Sequence, residues 1–202
     1  ALLRLVTWFG RGESMHAALA VGFRLDMLAT FTGAGWGAAA AAMVGQGLGG
    51  GLPDRAERAG WYGALLNTAL MGGVGALFYL YAPWLMAFFG EDPAVDPAFA
   101  AMHALGVEYL RIAVFGYVFA GIGITLAQAL NGAGSTRTPL ALDAIGFLAM
   151  QVPLAAWISS RHDVYGYDRS TLWWSLVAVT ALVAGLYAIV WDRGHWKHKV
   201  LR

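Results

Sequence analysis

Four polar side chains interrupt long apolar stretches of this sequence and are its candidates for chemistry: Asp26, Gln128, Asp143 and Gln151. A carboxylate among apolar residues can take up a proton or bind a cation, and a side-chain amide can hold a polar ligand by hydrogen bonds. Arg24 lies two residues before Asp26, so on a helix the two point about 200° apart and cannot simply pair. Each of them needs a partner on another element or in a wet cavity.

Each candidate also has a purely structural interpretation. Arg24 and Asp26 could lie at an interface, because both are near the outer end of a long apolar segment. Asp143 could sit one turn inside a boundary instead of facing a cavity, and Gln128 and Gln151 could simply join helices by hydrogen bonds. The sequence leaves both possibilities open at each position.

The sequence contains none of the common catalytic patterns. It has no His-Glu-x-x-His, no Gly-x-Ser-x-Gly and no cysteine. The glycine-rich stretch VGQGLGGG (44–51) is not followed by Gly-Lys-Ser/Thr, so it is interpreted as a helix-to-helix turn and not as a phosphate loop. We therefore predict that the chain is not an enzyme and that it holds no metal and no cofactor. A net charge of +1 gives no electrostatic footprint for nucleic acid.

The composition predicts a membrane protein. Hydrophobic residues make up 59% of the chain and charged residues 12%, whereas soluble domains carry about 25% charged residues. Five segments are long and apolar enough to cross a bilayer, at about residues 15–48, 56–89, 102–130, 138–159 and 170–191. The opening ALLRLVTWFG is too short and is interpreted as the end of a truncated first helix. We predict an all-α polytopic protein with residues 1–202 as a single membrane domain in the lipid bilayer.

Two glycine-rich turns are predicted at one end of these spans. The first ends on Pro53, and Asp54 with Glu57 three residues later suggests a capping box for the next helix. The second, NGAGSTRTPL (131–140), places Pro139 in the first turn of the helix that follows. Trp84, Trp157, Trp173 and Trp191 lie near predicted span ends, as an aromatic belt would place them.

The basic residues predict the orientation. One side of the membrane receives seven of them: Arg55, Arg58, Arg137, Arg193, Lys197, Lys199 and Arg202. The other side receives three: Arg11, Arg161 and Arg169. By the positive-inside rule, both glycine-rich turns and the C-terminus face the cytoplasm, in a multi-pass protein of the cell inner (plasma) membrane.

Several segments, in this order, resemble the MATE family of multidrug and toxic-compound extrusion transporters. They are VGQGLGGG with DRAERA (44–59), APWLMAFF with DPAV (82–95), YLRI (109–112), ALNGAGSTRTPL (129–140) and QVPLA (151–155). A closing basic tail with Trp196 follows them, so that the resemblance covers nearly the whole chain. Gln46, Gln128 and Arg137 are the polar members at family positions, and Gln46 and Arg137 belong to the cytoplasmic turn motif. Asp26 matches the acid of an R-x-E/D pattern found in many members.

The resemblance implies one six-helix lobe, the C-terminal one, of a twelve-helix, two-lobed transporter, with the N-terminal lobe as its missing partner. It also implies an antiporter that exports organic, often cationic, drug-like small molecules in exchange for H+ or Na+. Asp26, Gln128, Asp143 and Gln151 are then candidates for the substrate or ion cavity. The sequence departs from the family at two places: residues 111–130 contain no acid, and Ser135 replaces the acid common in the second turn. Coupling could therefore depend on the other lobe.

Two alternatives remain from the sequence. A lipid-linked sugar or polysaccharide flippase of the same superfamily would need a more cationic cavity, for which only Arg24 and Arg111 are available. A non-transporting membrane scaffold subunit is the second alternative, since one lobe alone cannot form a two-lobed cavity.

Overall fold

The computed structural model describes residues 12–89, 97–160 and 169–198, and in these ranges the chain is helical except for short turns. The helices are α1 (Gly12–Gly49), α2 (Pro53–Ala87), α3 (Pro97–Gly132), α4 (Arg137–Ala144), a π-helix (Ile145–Gln151), α5 (Val152–Ser160) and α6 (Arg169–Asp192). A short 3-10 helix (His195–His198) closes the described part. The predicted all-α fold is confirmed.

Within the described ranges, five segments have the length and apolar character of membrane spans: Ser14–Gly49, Pro53–Ala87, Phe99–Gly132, Arg137–Ile158 and Ser170–Asp192. They agree with the five spans predicted from composition, and α4, the π-helix and α5 together form the fourth. Large apolar side chains such as Leu28, Leu65 and Leu80 are more than 55% exposed on their surfaces. Such surfaces suit hydrocarbon and not water, so the chain is a multi-pass membrane protein.

The two glycine-rich turns end their helices in the same way. Gly51 and Gly134 have φ values of +70° and +74°, a conformation that a residue without a Cβ adopts at little cost. In each turn, the backbone N–H of the residue after this glycine donates a hydrogen bond to the carbonyl five residues earlier. The bonds run from Leu52 to Gly47 and from Ser135 to Leu130, both at 2.8 Å. Both turns are therefore Schellman C-caps, which satisfy helix-end carbonyls and reverse the chain tightly.

The predicted capping box at Asp54 and Glu57 is wrong. Helix α2 begins at Pro53 with Leu52 in the cap position, and no side chain caps its first turn. Pro53 needs no hydrogen-bond acceptor there, because it lacks the backbone N–H that a capping side chain would accept from. The Glu57 carboxylate instead accepts a hydrogen bond from Lys197 at 2.6 Å. Pro139, by contrast, lies in the first turn of α4 as predicted.

Helix α3 is the centre of the bundle and packs against α1, α2 and α6. The buried amide of Asn67 on α2 ties the three innermost helices together, because its Nδ2 donates to the carbonyl of Gly33 at 3.1 Å and to that of Gly121 at 3.2 Å. The same nitrogen lies 2.9 Å from Thr125 Oγ1. Asn67 is thus an interhelical link, as expected for an amide in a span.

Two of the four tryptophans predicted to form an aromatic belt are buried inside the bundle. Trp84 and Trp157 are 66% and 48% exposed, whereas Trp173 and Trp191 are 3% and 0% exposed. Trp191 stacks on Trp196 at a centroid distance of 4.0 Å. Burial in the bundle therefore overrides the interfacial preference at these two positions, and the Trp191–Trp196 stack fastens the 3-10 helix to the turn end of the bundle.

The ion pair between Lys197 and Glu57 should stabilise this attachment only modestly. Their side chains are 23% and 27% exposed, and ion pairs open to solvent are screened. A double-mutant cycle with Lys197→Met and Glu57→Gln, read by unfolding of the detergent-solubilised protein, should give a coupling energy of about 0.5–1 kcal/mol. The same cycle with Asp54, which is 4.0 Å from Lys197 and 87% exposed, should give a coupling near zero. Equal couplings would contradict this ranking.

Candidate functional site

Asp26 is held by two tyrosine hydroxyls from the neighbouring helix. Tyr109 donates a hydrogen bond to Oδ2, and Tyr117 donates one to Oδ1 at 2.6 Å. The two tyrosines lie about two turns apart on α3, so their rings approach the carboxylate from opposite directions along the helix axis. The expectation that Asp26 needs a partner on another helix is confirmed, and each carboxylate oxygen has a neutral donor.

Aromatic rings and one glycine position these tyrosines. The Tyr109 ring meets Phe23 and Trp173 edge to face at centroid distances of 5.9 and 5.2 Å. A Cβ on Gly22 would lie 2.6 Å from the Tyr109 ring, closer than atoms pack, so the missing side chain lets the ring approach α1. Arg24 is exposed on another face of α1, in agreement with the predicted divergence from Asp26.

A separate cavity of about 530 Å³ lies between α3, the fourth span and α6. Six of its lining residues show its character: Phe119, Gln128, Asp143, Phe147, Gln151 and Tyr187. Three of the four residues singled out from the sequence therefore meet in one place, whereas Asp26 is not among the cavity-lining residues. The walls are mainly apolar with a few polar groups, which is the usual make-up of a small-molecule site.

The polar groups of the cavity differ in their burial and in the number of hydrogen bonds that they make. Tyr187 Oη lies 2.7 Å from Asp143 Oδ1 and 3.1 Å from the Pro139 carbonyl. Asp143 is exposed and Gln128 is half-buried against Gly37. Gln151 is 5% exposed, and its Nε2 has no hydrogen-bond partner among the described residues. A buried amide donor without a partner is costly and indicates a place where a ligand or water would bind.

The π-helix explains how Asp143 and Gln151 come to line the same cavity. Eight residues of regular α-helix would leave them about 80° apart around the axis. The wider turn of the segment Ile145–Gln151 advances each residue by a smaller angle and so reduces this difference. Pro153 follows two residues later and has no N–H to donate to the preceding turn, which favours such a widening.

Gln46 and Arg137 lie elsewhere. Both are exposed on the glycine-rich turns, Gln46 near the end of α1 and Arg137 at the start of α4. Gln46 and Arg55 border a small pocket of about 240 Å³ at the first turn. Neither Gln46 nor Arg137 lines the larger cavity.

Sequence reasoning missed the tyrosines as partners of the two carboxylates. Tyr109, Tyr117 and Tyr187 are not among the residues that the sequence analysis predicts for these sites. A signal was available, since an intramembrane acid requires donors and tyrosine is an amphipathic donor suited to apolar surroundings. Which tyrosine meets which acid depends on helix packing and could not be predicted. Among the described residues, no group of three or more His, Cys, Asp and Glu could hold a metal ion.

The described residues form a bundle of five spans with a carboxylate held between helices and a cavity beside them, which is the architecture of a polytopic membrane protein and one that transporters use. The MatE family model matches residues 2–157. The chain is 28% identical over 177 residues to the probable multidrug resistance protein NorM of Mesorhizobium japonicum, with 88% of this chain and 37% of that protein covered. It is 29% identical over 194 residues to the probable NorM of Brucella suis, covering 96% and 40%.

A similar protein from Deinococcus radiodurans, also named a probable multidrug resistance protein NorM, is 33% identical over 143 residues, covering 71% of this chain and 30% of that protein. The chain belongs to the MATE family, which is a family of transporters and not of enzymes. It spans about two fifths of the length of the first two relatives.

Proposed function

We propose that this chain is the C-terminal lobe of a secondary-active antiporter that exports organic, often cationic, compounds in exchange for H+ or Na+. In this proposal residues 1–202 form one membrane domain, and an N-terminal lobe of the same protein supplies the other half of the transport path. The names of the similar proteins, multidrug resistance proteins, support the export of drug-like compounds. The observation that carries the antiport is the Asp26 carboxylate with its two tyrosine hydroxyls.

The surroundings of Asp26 suit a coupling ion. An acid inside a span is costly and is usually retained for ion or proton movement. Its oxygens, together with the hydroxyl oxygens of Tyr109 and Tyr117, form a set of hard oxygen ligands, and the carboxylate alone can accept a proton. Loading and release of the ion at Asp26 would bias the lobe between two orientations, in the alternating motion that repeat-built transporters use.

One helix connects the coupling site with the cavity. Tyr117 on α3 is about one turn from Ala120, which lines the cavity, so we propose that a change at Asp26 is transmitted along α3 to a wall of the substrate path. Packed helices and rigid secondary elements are among the structures that carry coupling between two sites.

The proposed orientation places the C-terminus in the cytoplasm of a cell with this protein in its inner membrane. The glycine-rich turns and the 3-10 helix meet at one end of the bundle, where Lys197 contacts Glu57 and Trp196 packs with Val44 and Ala133. Basic residues concentrate at that end, which supports a cytoplasmic location.

The flippase alternative is less well supported by the cavity. A pyrophosphate-linked lipid requires basic groups, and the described residues that line the cavity include Asp143 but neither Arg nor Lys. An acidic cavity favours cations, so the antiporter is the function that these residues support best.

The test is gradient-dependent dye efflux. Cells that express the complete transporter are loaded with a fluorescent cationic dye, and efflux is followed with the proton gradient, the sodium gradient or both collapsed. We expect efflux to stop when one of these gradients is removed, and that gradient identifies the ion. Dye efflux that continues at the same rate without either gradient would overturn the antiport proposal.

A further inference from the structure

We propose that the cavity between α3, the fourth span and α6 binds elongated organic cations, with the ammonium group at Asp143 and a hydrogen-bond acceptor at Gln151 Nε2. The inference rests on the proposed function, because it assigns a site to the substrate class of that transporter. It concerns a position inside this lobe, separate from the Asp26 site.

The two ends of the cavity have complementary chemistry. Asp143 is exposed, and its Oδ1 accepts a hydrogen bond from Tyr187. No donor among the described residues contacts its other carboxylate oxygen, Oδ2. Gln151 is almost fully buried at the other end, and its amide nitrogen has no partner within the described ranges. One end therefore offers a negative charge and the other a free donor.

The dimensions and the walls select the shape of the ligand. Asp143 and Gln151 are eight residues apart, which corresponds to about 12 Å in a regular α-helix and to somewhat less here, because the wider π-helical turns of Ile145–Gln151 rise less per residue. A volume of about 530 Å³ falls within the range of roughly 300–1,000 Å³ that is usual for small-molecule pockets. Phe119, Phe147 and Val183 make the middle of the cavity apolar. The expected ligand is therefore long, apolar in its middle and polar at both ends.

Packing around the cavity keeps its walls in place. A Cβ on Gly146 would lie 2.5 Å from the Val183 side chain, so the π-helix and α6 are in close contact beside the cavity. The Tyr187 hydroxyl joins Asp143 to α6 from the other side. A preformed cavity lowers the ordering cost of binding.

The test uses dansylcadaverine, a fluorescent probe with an ammonium group on a flexible pentyl chain and sulfonyl oxygens as acceptors. The matched neutral probe is N-pentyl dansylamide, which has the same dansyl group and pentyl chain but no ammonium group. Binding to the complete transporter in detergent is followed by dansyl fluorescence. We expect Asp143→Asn to weaken dansylcadaverine binding by about tenfold or more, since hydrogen bonds to charged groups are strong, and to leave the neutral probe unchanged. Gln151→Met should weaken both probes by about threefold to tenfold.

Two control variants decide the outcome. Asp143→Glu should retain binding within about threefold, because it keeps the charge, and Asp54→Asn, an exposed acid on the first turn, should bind like the unmodified protein. Equal binding by Asp143→Asn and the unmodified protein would overturn the site, and so would equal losses in Asp143→Asn and Asp143→Glu. Gradient-dependent efflux is measured separately: its absence, with charge-selective binding intact, would refute the antiporter and leave the site standing.

Discussion

Replacing Asp26 by Asn should reduce gradient-driven efflux by about tenfold or more. Asparagine has nearly the same shape but no charge, so it can neither release a proton nor attract a cation, and its NH2 group faces one of the two tyrosine hydroxyls that donate to Asp26. The measurement is substrate flux in proteoliposomes that contain the complete transporter, driven by an imposed proton or sodium gradient.

Conservative changes around Asp26 separate coupling from folding. Tyr117→Phe and Tyr109→Phe each remove one donor and keep the ring, so each should lower the flux less than Asp26→Asn does. Asp54→Asn is the matched control, because it neutralises an acid of which the side chain is 87% exposed at the end of the bundle, and it should leave flux unchanged. Unchanged coupling in Asp26→Asn would exclude Asp26 from the coupling site.

Replacing Gly121 by Ala should destabilise the bundle by about 1–3 kcal/mol, the usual cost of overpacking. A Cβ at this position would lie 2.7 Å from Thr68 Cα and 2.9 Å from Thr68 N. These are backbone atoms, so a side-chain rotation cannot relieve the overlap and α2 and α3 must move apart. Such a movement also stretches the hydrogen bond from Asn67 to the Gly121 carbonyl. Thermal unfolding in detergent should show a lower midpoint, by about 2–4 °C per kcal/mol.

Gly73→Ala is the control for this substitution. Gly73 lies on α2, and beyond the neighbouring backbone of its own helix no heavy atom lies within 4 Å of its ideal Cβ position. Alanine therefore adds no overlap and stabilises the helix by up to about 1 kcal/mol. The unfolding midpoint should stay constant or rise slightly. A fall of the same size in both variants would mean that loss of glycine itself, and not the contact of α3 with α2, determines stability.

The general plan of the protein could be predicted from the sequence, and the pairing of its polar groups could not. The five spans and the turn at Gly134 follow from local composition and from residues that end helices. The capping box failed because Asp54 and Glu57 have the required spacing, but Leu52 occupies the cap and Glu57 contacts Lys197, which is 140 residues away. Contacts of this kind depend on how distant helices pack.

The sequence by itself determined that the chain is a membrane-spanning helical protein of the MATE family, and it identified Asp26, Gln128, Asp143 and Gln151 as its notable polar groups. Charge content, span length and local motifs are properties of one stretch at a time, so they can be interpreted without a fold. Only the tertiary structure divided these four residues between a tyrosine-bound carboxylate on α1 and a cavity beside the π-helix. That division depends on helix rotation and close approach, which are set by packing between segments far apart in the chain.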